Sequence, residues 1–237
     1  PDTVTYIGSN AFQGCINLVG VSIPDGVEVI NSYCFENCTS LRDVTIGENV
    51  QEIGRYAFNN CKSLTSINMP DSIVRIENCA FENCDELEEV HISKNIDYMG
   101  CEAFSNCNKI TSIEIPKSLI NKGLNWTTGS FYNCKGLKAV TFEDGTTRVA
   151  NSLFAGCTGL ESIKIPDTVT SIDDYAFYGC TNLKSIHMGK GVIEIGEYSF
   201  NSCTTLQELD MSENVREIGR YAFSKCKSLT SINMPDS

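Results

Sequence analysis

The 237-residue sequence predicts a repeat solenoid, in which short coils of chain stack along one axis, and three columns of residues predict it. Phenylalanine recurs at Phe12, Phe35, Phe58, Phe81, Phe104, Phe131, Phe154, Phe177, Phe200 and Phe223, spaced by 23 residues except for the 27 between Phe104 and Phe131. A cysteine follows each Phe by three residues, from Cys15 to Cys226, and Leu or Ile follows each cysteine by three, from Leu18 to Leu229. A fixed period of roughly 20–50 residues is the mark of stacked supersecondary units. A coil of this length cannot bury its own apolar side, so stacking must turn each position into a ladder through the protein. Each buried Phe contributes roughly 1.5–3 kcal/mol, and about five aliphatics per coil contribute similarly. At about 4.8 Å per coil, the ten expected coils span roughly 48 Å.

Within one coil the elements follow in order. The pattern Leu-x-x-Val-x-Ile alternates as a strand does, with the aliphatic pair (Val21 and Ile23, or Ile163 and Ile165) on one side and the residues between on the other. Pro24, Pro70, Pro116, Pro166 and Pro235 follow this run and mark its end, because proline donates nothing to a ladder. A second apolar pair, such as Val27 and Ile30, leads to the Ala-Phe segment, which reads as a short helical turn. Two residues after Phe comes Asn or Gly in eight of ten copies, from Gly14 to Gly179, which predicts a left-handed corner there.

The segment Leu160 to Cys180, LESIKIPDTVTSIDDYAFYGC, and its nine counterparts resemble the BspA-like leucine-rich repeat family. The resemblance spans essentially the whole chain. It implies a leucine-rich-repeat solenoid with a curved parallel sheet on the concave face, and short extended segments and helical turns on the other sides. The family is known from bacterial surface proteins and from surface proteins of some parasitic protists. Protein–protein or adhesive roles follow from that resemblance; a catalytic site or a particular ligand does not.

We therefore expect one solenoid domain over residues 1–237, of about ten repeats, with a four-residue insertion in 117–130. The chain starts at Pro1 and both starts and stops within a repeat, without polar caps, so a longer parent protein is expected. Residues 51–72 and 216–237 differ at three of 22 positions, Arg55 and Arg220 being shared, which points to recent duplication within the array.

The net charge of −12 disfavours nucleic acid and anionic lipid as partners. No run approaches about 18 apolar residues, so membrane insertion by this segment is not expected. The thirteen cysteines are read mainly as free core thiols, because in-register stacking holds neighbouring Cβ atoms parallel and about 4.8 Å apart, where a disulfide needs about 3.8 Å. Zinc spacing occurs only at Cys34 and Cys38, with no second pair to close a tetrahedron, so no metal and no cofactor are expected. Cys34, Cys79 and Cys101 lie off the ladder and divide between structural filling and reactive or exposed thiols.

Two outward rows line the concave face if the family fold holds, and from them the candidate ligand-binding residues are Asp43, Asn68, Glu89, His91, Ser112, Glu114, Lys164, His187, Glu208 and Asp210. His91 and His187 are four coils apart, roughly 19 Å, too far to share a metal. Glu114 and Asp210 are expected beside them, and a carboxylate neighbour favours the protonated imidazole; the plain alternative is a solvated surface row. A catalytic set of Ser112, His91 and Glu114 lacks a deep pocket and an oxyanion hole on a flat sheet, so an enzyme is not expected. Trp126, in the insertion, is either a larger core residue or part of a loop that touches a partner. Glycosylation sequons occur at Asn37 and Asn125; the first stands at a tight corner and the second is the more accessible. The expected function is binding of a protein or glycoprotein by a monomeric module at the cell surface. The alternative is a structural spacer or intracellular scaffold with no ligand site of its own in these residues.

Overall fold

The computed structural model describes residues 2–119, 128–232 and 234. The chain winds into a parallel β-solenoid of leucine-rich-repeat type, and no helix occurs among the described residues. Its longer strands run Gly20–Ser22, Asp43–Thr45, Ser66–Asn68, Glu89–His91, Ser112–Ile115, Ala139–Phe142, Ser162–Lys164, Ser185–His187 and Glu208–Asp210, and together they form the concave sheet. Eight two-residue strands among the described residues, from Val29–Ile30 to Glu217–Ile218, form a second sheet later in their coils. Every registered pair is parallel and joins equivalent positions of successive coils. Ile67 thus pairs with Val90, and Ile113 pairs with Val140 across the 27-residue coil.

Pairing in the concave sheet comes in blocks. The first six strands pair two by two and the last three pair in series. The second sheet has two blocks of four strands.

The phenylalanines form one continuous ring column from Phe12 to Phe223, with neighbouring centroids 5.0–5.9 Å apart and planes within 20° of parallel. From Phe35 to Phe200 these rings are fully buried. The column passes the insertion without a break, since Phe104 and Phe131 stand 5.2 Å apart.

The Ala-Phe segment differs from the expected helical turn. Amides alternate between a local bond and a bond to the next coil: Phe35 N donates to Ala57 O at 2.8 Å, whereas Glu36 N donates back to Tyr33 O at 3.2 Å. A helix would keep every amide for its own chain segment, so this alternation excludes one and welds the coils together instead. Nine of the ten coils also place two left-handed residues around the Phe, the coil of Phe131 being the exception at Gly129. All ten positions two residues after Phe have positive φ, including Ser202 and Lys225, as the Asn and Gly residues predicted. A second left-handed position, two residues before Phe, is occupied by Tyr33, Tyr56, Cys79, Glu102, Tyr175, Tyr198 and Tyr221 among others. Such residues lose about 1–2 kcal/mol there, offset by the inter-coil bonds that the geometry permits.

The ladder cysteines are free thiols with a definite task. From Cys38 to Cys226, each Sγ–H donates to the carbonyl of Phe in the preceding coil, as Cys134 does to Phe104 at 3.0 Å and Cys157 to Phe131 at 3.2 Å. The same carbonyl already accepts the amide of its own coil's cysteine, for example Cys107 N on Phe104 O. The thiol therefore fills the second lone pair of a buried carbonyl, which no alkyl side chain of similar size would do. Off the ladder, Cys34 and Cys79 are buried and Cys101 is half-buried.

Candidate ligand-binding face

Alternation along each concave strand turns the aliphatic residue inward and its two neighbours to solvent. All ten candidate residues are exposed on that face. Its polar rows hold Asp43, Glu89, Glu114, Glu208 and Asp210 against Lys164, so the face is acidic.

Two depressions open on it, each beside a boundary between pairing blocks. The first, of about 640 Å³, is lined by Asn68, His91 and Glu114 with Asp71, Lys94 and Glu143 at its edge. It lies where the block ending at Glu89–His91 meets the block beginning at Ser112–Ile115. At its rim Lys117 donates its backbone amide to Glu143 at 3.0 Å and its Nζ lies 3.0 Å from the same carboxylate. Those contacts hold the Glu143 carboxyl below its ordinary range. The second depression, of about 760 Å³, is lined by Lys164, His187 and Asp210 with Phe142 and Met188. It borders the boundary between Ala139–Phe142 and Ser162–Lys164. Lys164, His187 and Asp210 stand in register on three neighbouring strands. His187 Nδ1 lies 3.8 Å from Asp210 Oδ2, an ion-pair distance that is too long for a direct hydrogen bond. Glu208 borders a shallower hollow beside His187 and Asp210.

The structure thus gathers six of the ten candidates into two depressions, three in each. Asp43, Glu89 and Ser112 stay exposed on the sheet outside both. Among the described residues no hydrogen bond joins Ser112, His91 and Glu114. The Asn37 side chain is half-buried and accepts a hydrogen bond from Asn60 at 3.1 Å, within a ladder of corner asparagines. Trp126 and Asn125 lie outside the described residues.

Repeat counting alone did not reveal a second aromatic column on the turn face. Tyr33 stacks on Tyr56 at 5.1 Å, and Tyr175, Tyr198 and Tyr221 follow one another at 4.9 Å. Arg55 lies over Tyr56 and Arg220 over Tyr221, each at 5.0 Å, so the duplicated segments carry the same cation–π pair. Reading the sequence column by column at the position two before Phe would have exposed this row. It would also have exposed the break in it at Cys79, Glu102, Gly129 and Ser152.

Parallel strands in register, internal ladders and a polar outward face define a leucine-rich-repeat solenoid. The sequence profile described as BspA type leucine rich repeat region (six copies) matches residues 5–127 and 125–237. The chain belongs to the BspA-type leucine-rich repeat family. No curated protein sequence matches it. Among solved structures it is similar to a leucine-rich repeat protein from Bacteroides ovatus, with 27% identity, a TM-score of 0.64, and coverage of 99% of this chain and 74% of that one. It is also similar to a leucine-rich cell surface protein from Faecalibacterium prausnitzii, with 30% identity, a TM-score of 0.52, and coverage of 88% and 64%. The pneumococcal vaccine antigen PcpA shares the fold at 22% identity, with a TM-score of 0.59 and coverage of 94% of this chain and 60% of that one. The chain therefore spans less than two thirds of the length of the latter two. No helix among the described residues is long and apolar enough to cross a membrane.

Proposed function

We propose that this chain is a binding module of a cell-surface protein, a single solenoid that acts as a monomer and holds a protein or glycoprotein ligand on its concave sheet. The observation that carries this reading is the acidic, solvent-exposed strand face with its two depressions around His91 and His187. The family and the likeness to a cell surface protein of Faecalibacterium prausnitzii support the location. Imidazole, carboxylate, amide and ammonium groups on neighbouring strands offer donors and acceptors to a polar ligand. Rigid strands fix their spacing without the entropic cost of ordering loops. The module performs no catalysis, because its polar groups stand on an open face where water screens them.

Reversing four charges together, with Asp43→Lys, Glu89→Lys, Glu114→Lys and Glu208→Lys, tests the face. Partner capture in a pull-down is expected to fall by about tenfold or more, since like charges brought together at an interface cost several kcal/mol. Unchanged capture would move the ligand off this sheet. If neither protein captures a partner, the spacer reading is favoured.

A further inference from the structure

On the turn face the tyrosine column stops at Cys79. Tyr33 and Tyr56 stack, and in the next two coils the same left-handed position holds Cys79 (φ 58°) and Glu102 (φ 57°). Glu82, one residue past Phe81, reaches the same spot. One donor atom from each of Cys79, Glu82 and Glu102 can be chosen so that all lie within 4.8 Å of one another. Cys79 is 5% exposed and the two glutamates are half-buried. The backbone beneath them is tied both to the next coil and within its own: Cys79 N donates to Cys101 O at 3.0 Å, and Glu82 N donates locally to Cys79 O at 3.2 Å. Asn59 Nδ2 donates to Glu82 Oε2 at 3.0 Å and orients that carboxylate from outside the trio. Cys79 Sγ stands 3.7 Å from Glu102 Oε2.

Among the described residues no Lys, Arg or His forms an ion pair with Glu82 or Glu102. Elsewhere on this surface acidic groups do find such partners, as Glu86 finds Lys109 and Glu161 finds Lys184. Two half-buried carboxylates, neither in an ion pair, thus face each other and a buried thiol, which the Tyr56 hydroxyl also hydrogen-bonds and on which Arg55 acts electrostatically from over the Tyr56 ring.

We propose that Cys79, Glu82 and Glu102 bind one borderline divalent cation of the Zn²⁺ or Cd²⁺ kind, through one thiolate and two carboxylates, with water completing the tetrahedron. The donor chemistry selects the ion. A sulfur ligand disfavours Mg²⁺ and Ca²⁺, and Ca²⁺ wants six to eight oxygens where two side chains supply them here. At bond lengths of about 2.3 Å to sulfur and 2.0–2.2 Å to oxygen, donors around one tetrahedral ion stand about 3.5 Å apart. The trio closes to that spacing by small rotations of the two long glutamate side chains, while the buried cysteine stays fixed. The bound ion ties two successive coils together beside the broken tyrosine stack.

The test is titration of the full chain, kept reduced with a phosphine, using Co²⁺ as an optical probe and Cd²⁺ as a softer one. Thiolate-to-metal charge-transfer absorption is expected to rise and saturate at one equivalent. Cys79→Ser is expected to abolish the band. Glu82→Gln and Glu102→Gln, isosteric and at the turn surface, are each expected to weaken Co²⁺ binding by about tenfold or more. Circular dichroism checks that each variant is folded. Cys101→Ser and Cys34→Ser should leave the band unchanged, and excess Ca²⁺ should not displace Co²⁺. Absence of a stoichiometric band, its persistence in Cys79→Ser, or its loss in Cys101→Ser would overturn the assignment.

Discussion

Between about pH 9 and about pH 10 the chain is expected to lose its fold cooperatively, because its buried thiols resist ionisation. Burial raises the pKa of Cys34, Cys61, Cys84, Cys134, Cys157, Cys180 and Cys203, and it does the same for Cys38. Cys38 is pushed up to about 11, and Cys34 and Cys180 to about 12, from an ordinary value of 9.0. The folded values lie above the unfolded ones, so this contribution to stability is fully present below pH 9 and drains away as pH rises toward the folded values. In that window the unfolded chain releases protons that the folded chain keeps. Across that unit the unfolded thiol goes from half to about nine-tenths ionised, so each thiol removes about 1 kcal/mol of stability. Eight such thiols remove roughly 8 kcal/mol over that unit, as much as the whole stability of many ordinary domains at about 5–15 kcal/mol. Circular dichroism against pH measures the midpoint, and urea titrations at fixed pH measure the slope. Cys157→Ala should reduce the slope near pH 9.5 by about 1 kcal/mol per unit while costing stability at neutral pH. A chain that keeps its spectrum through pH 11 would refute this account.

The same ladders explain what could be read from the sequence and what could not. Side-chain alternation places the inward and outward residues of every strand, so the exposure of Asp43, His91, Lys164 and Asp210 follows from pattern alone. Asn and Gly mark the corner after Phe because they are the residues that tolerate positive φ. The corner before Phe carries Tyr, Cys and Glu, which give no such signal. Its conformation is imposed by hydrogen bonds to the next coil, a tertiary effect that local propensity does not encode. For the same reason the Ala-Phe segment reads as helical and folds otherwise. The depressions around His91 and His187 lie beside interruptions in strand pairing, and nothing in a regular repeat announces where those fall. The cation-binding trio combines a spacing of three residues with one of 23, so it appears only when neighbouring coils are laid side by side.

Phe104→Ala is expected to be among the most damaging single substitutions, and Phe12→Ala one of the mildest core changes, although the two residues hold equivalent repeat positions. Phe104 is fully buried between Phe81 at 5.0 Å and Phe131 at 5.2 Å. Its backbone is clamped by Phe104 N on Ser130 O at 2.7 Å and by Cys134 Sγ on Phe104 O at 3.0 Å. The neighbouring coils therefore cannot collapse into the space the ring leaves. Removal of the side chain costs about 3–5 kcal/mol, and the loss of two ring contacts places Phe104 toward the upper end of that range. Phe12 is 38% exposed and stacks on Phe35 alone, so its truncation is expected to cost about 1–2 kcal/mol. In an array held together by nearest-neighbour interfaces, a central defect also uncouples the coils on either side of it. Urea denaturation of the two variants should therefore differ by about 3 kcal/mol or more, and the Phe104 variant should show a broadened or divided transition. Equal losses at the two positions would mean that each coil is stabilised from within, and the stacked ring column would then be a consequence of the fold and not its cause.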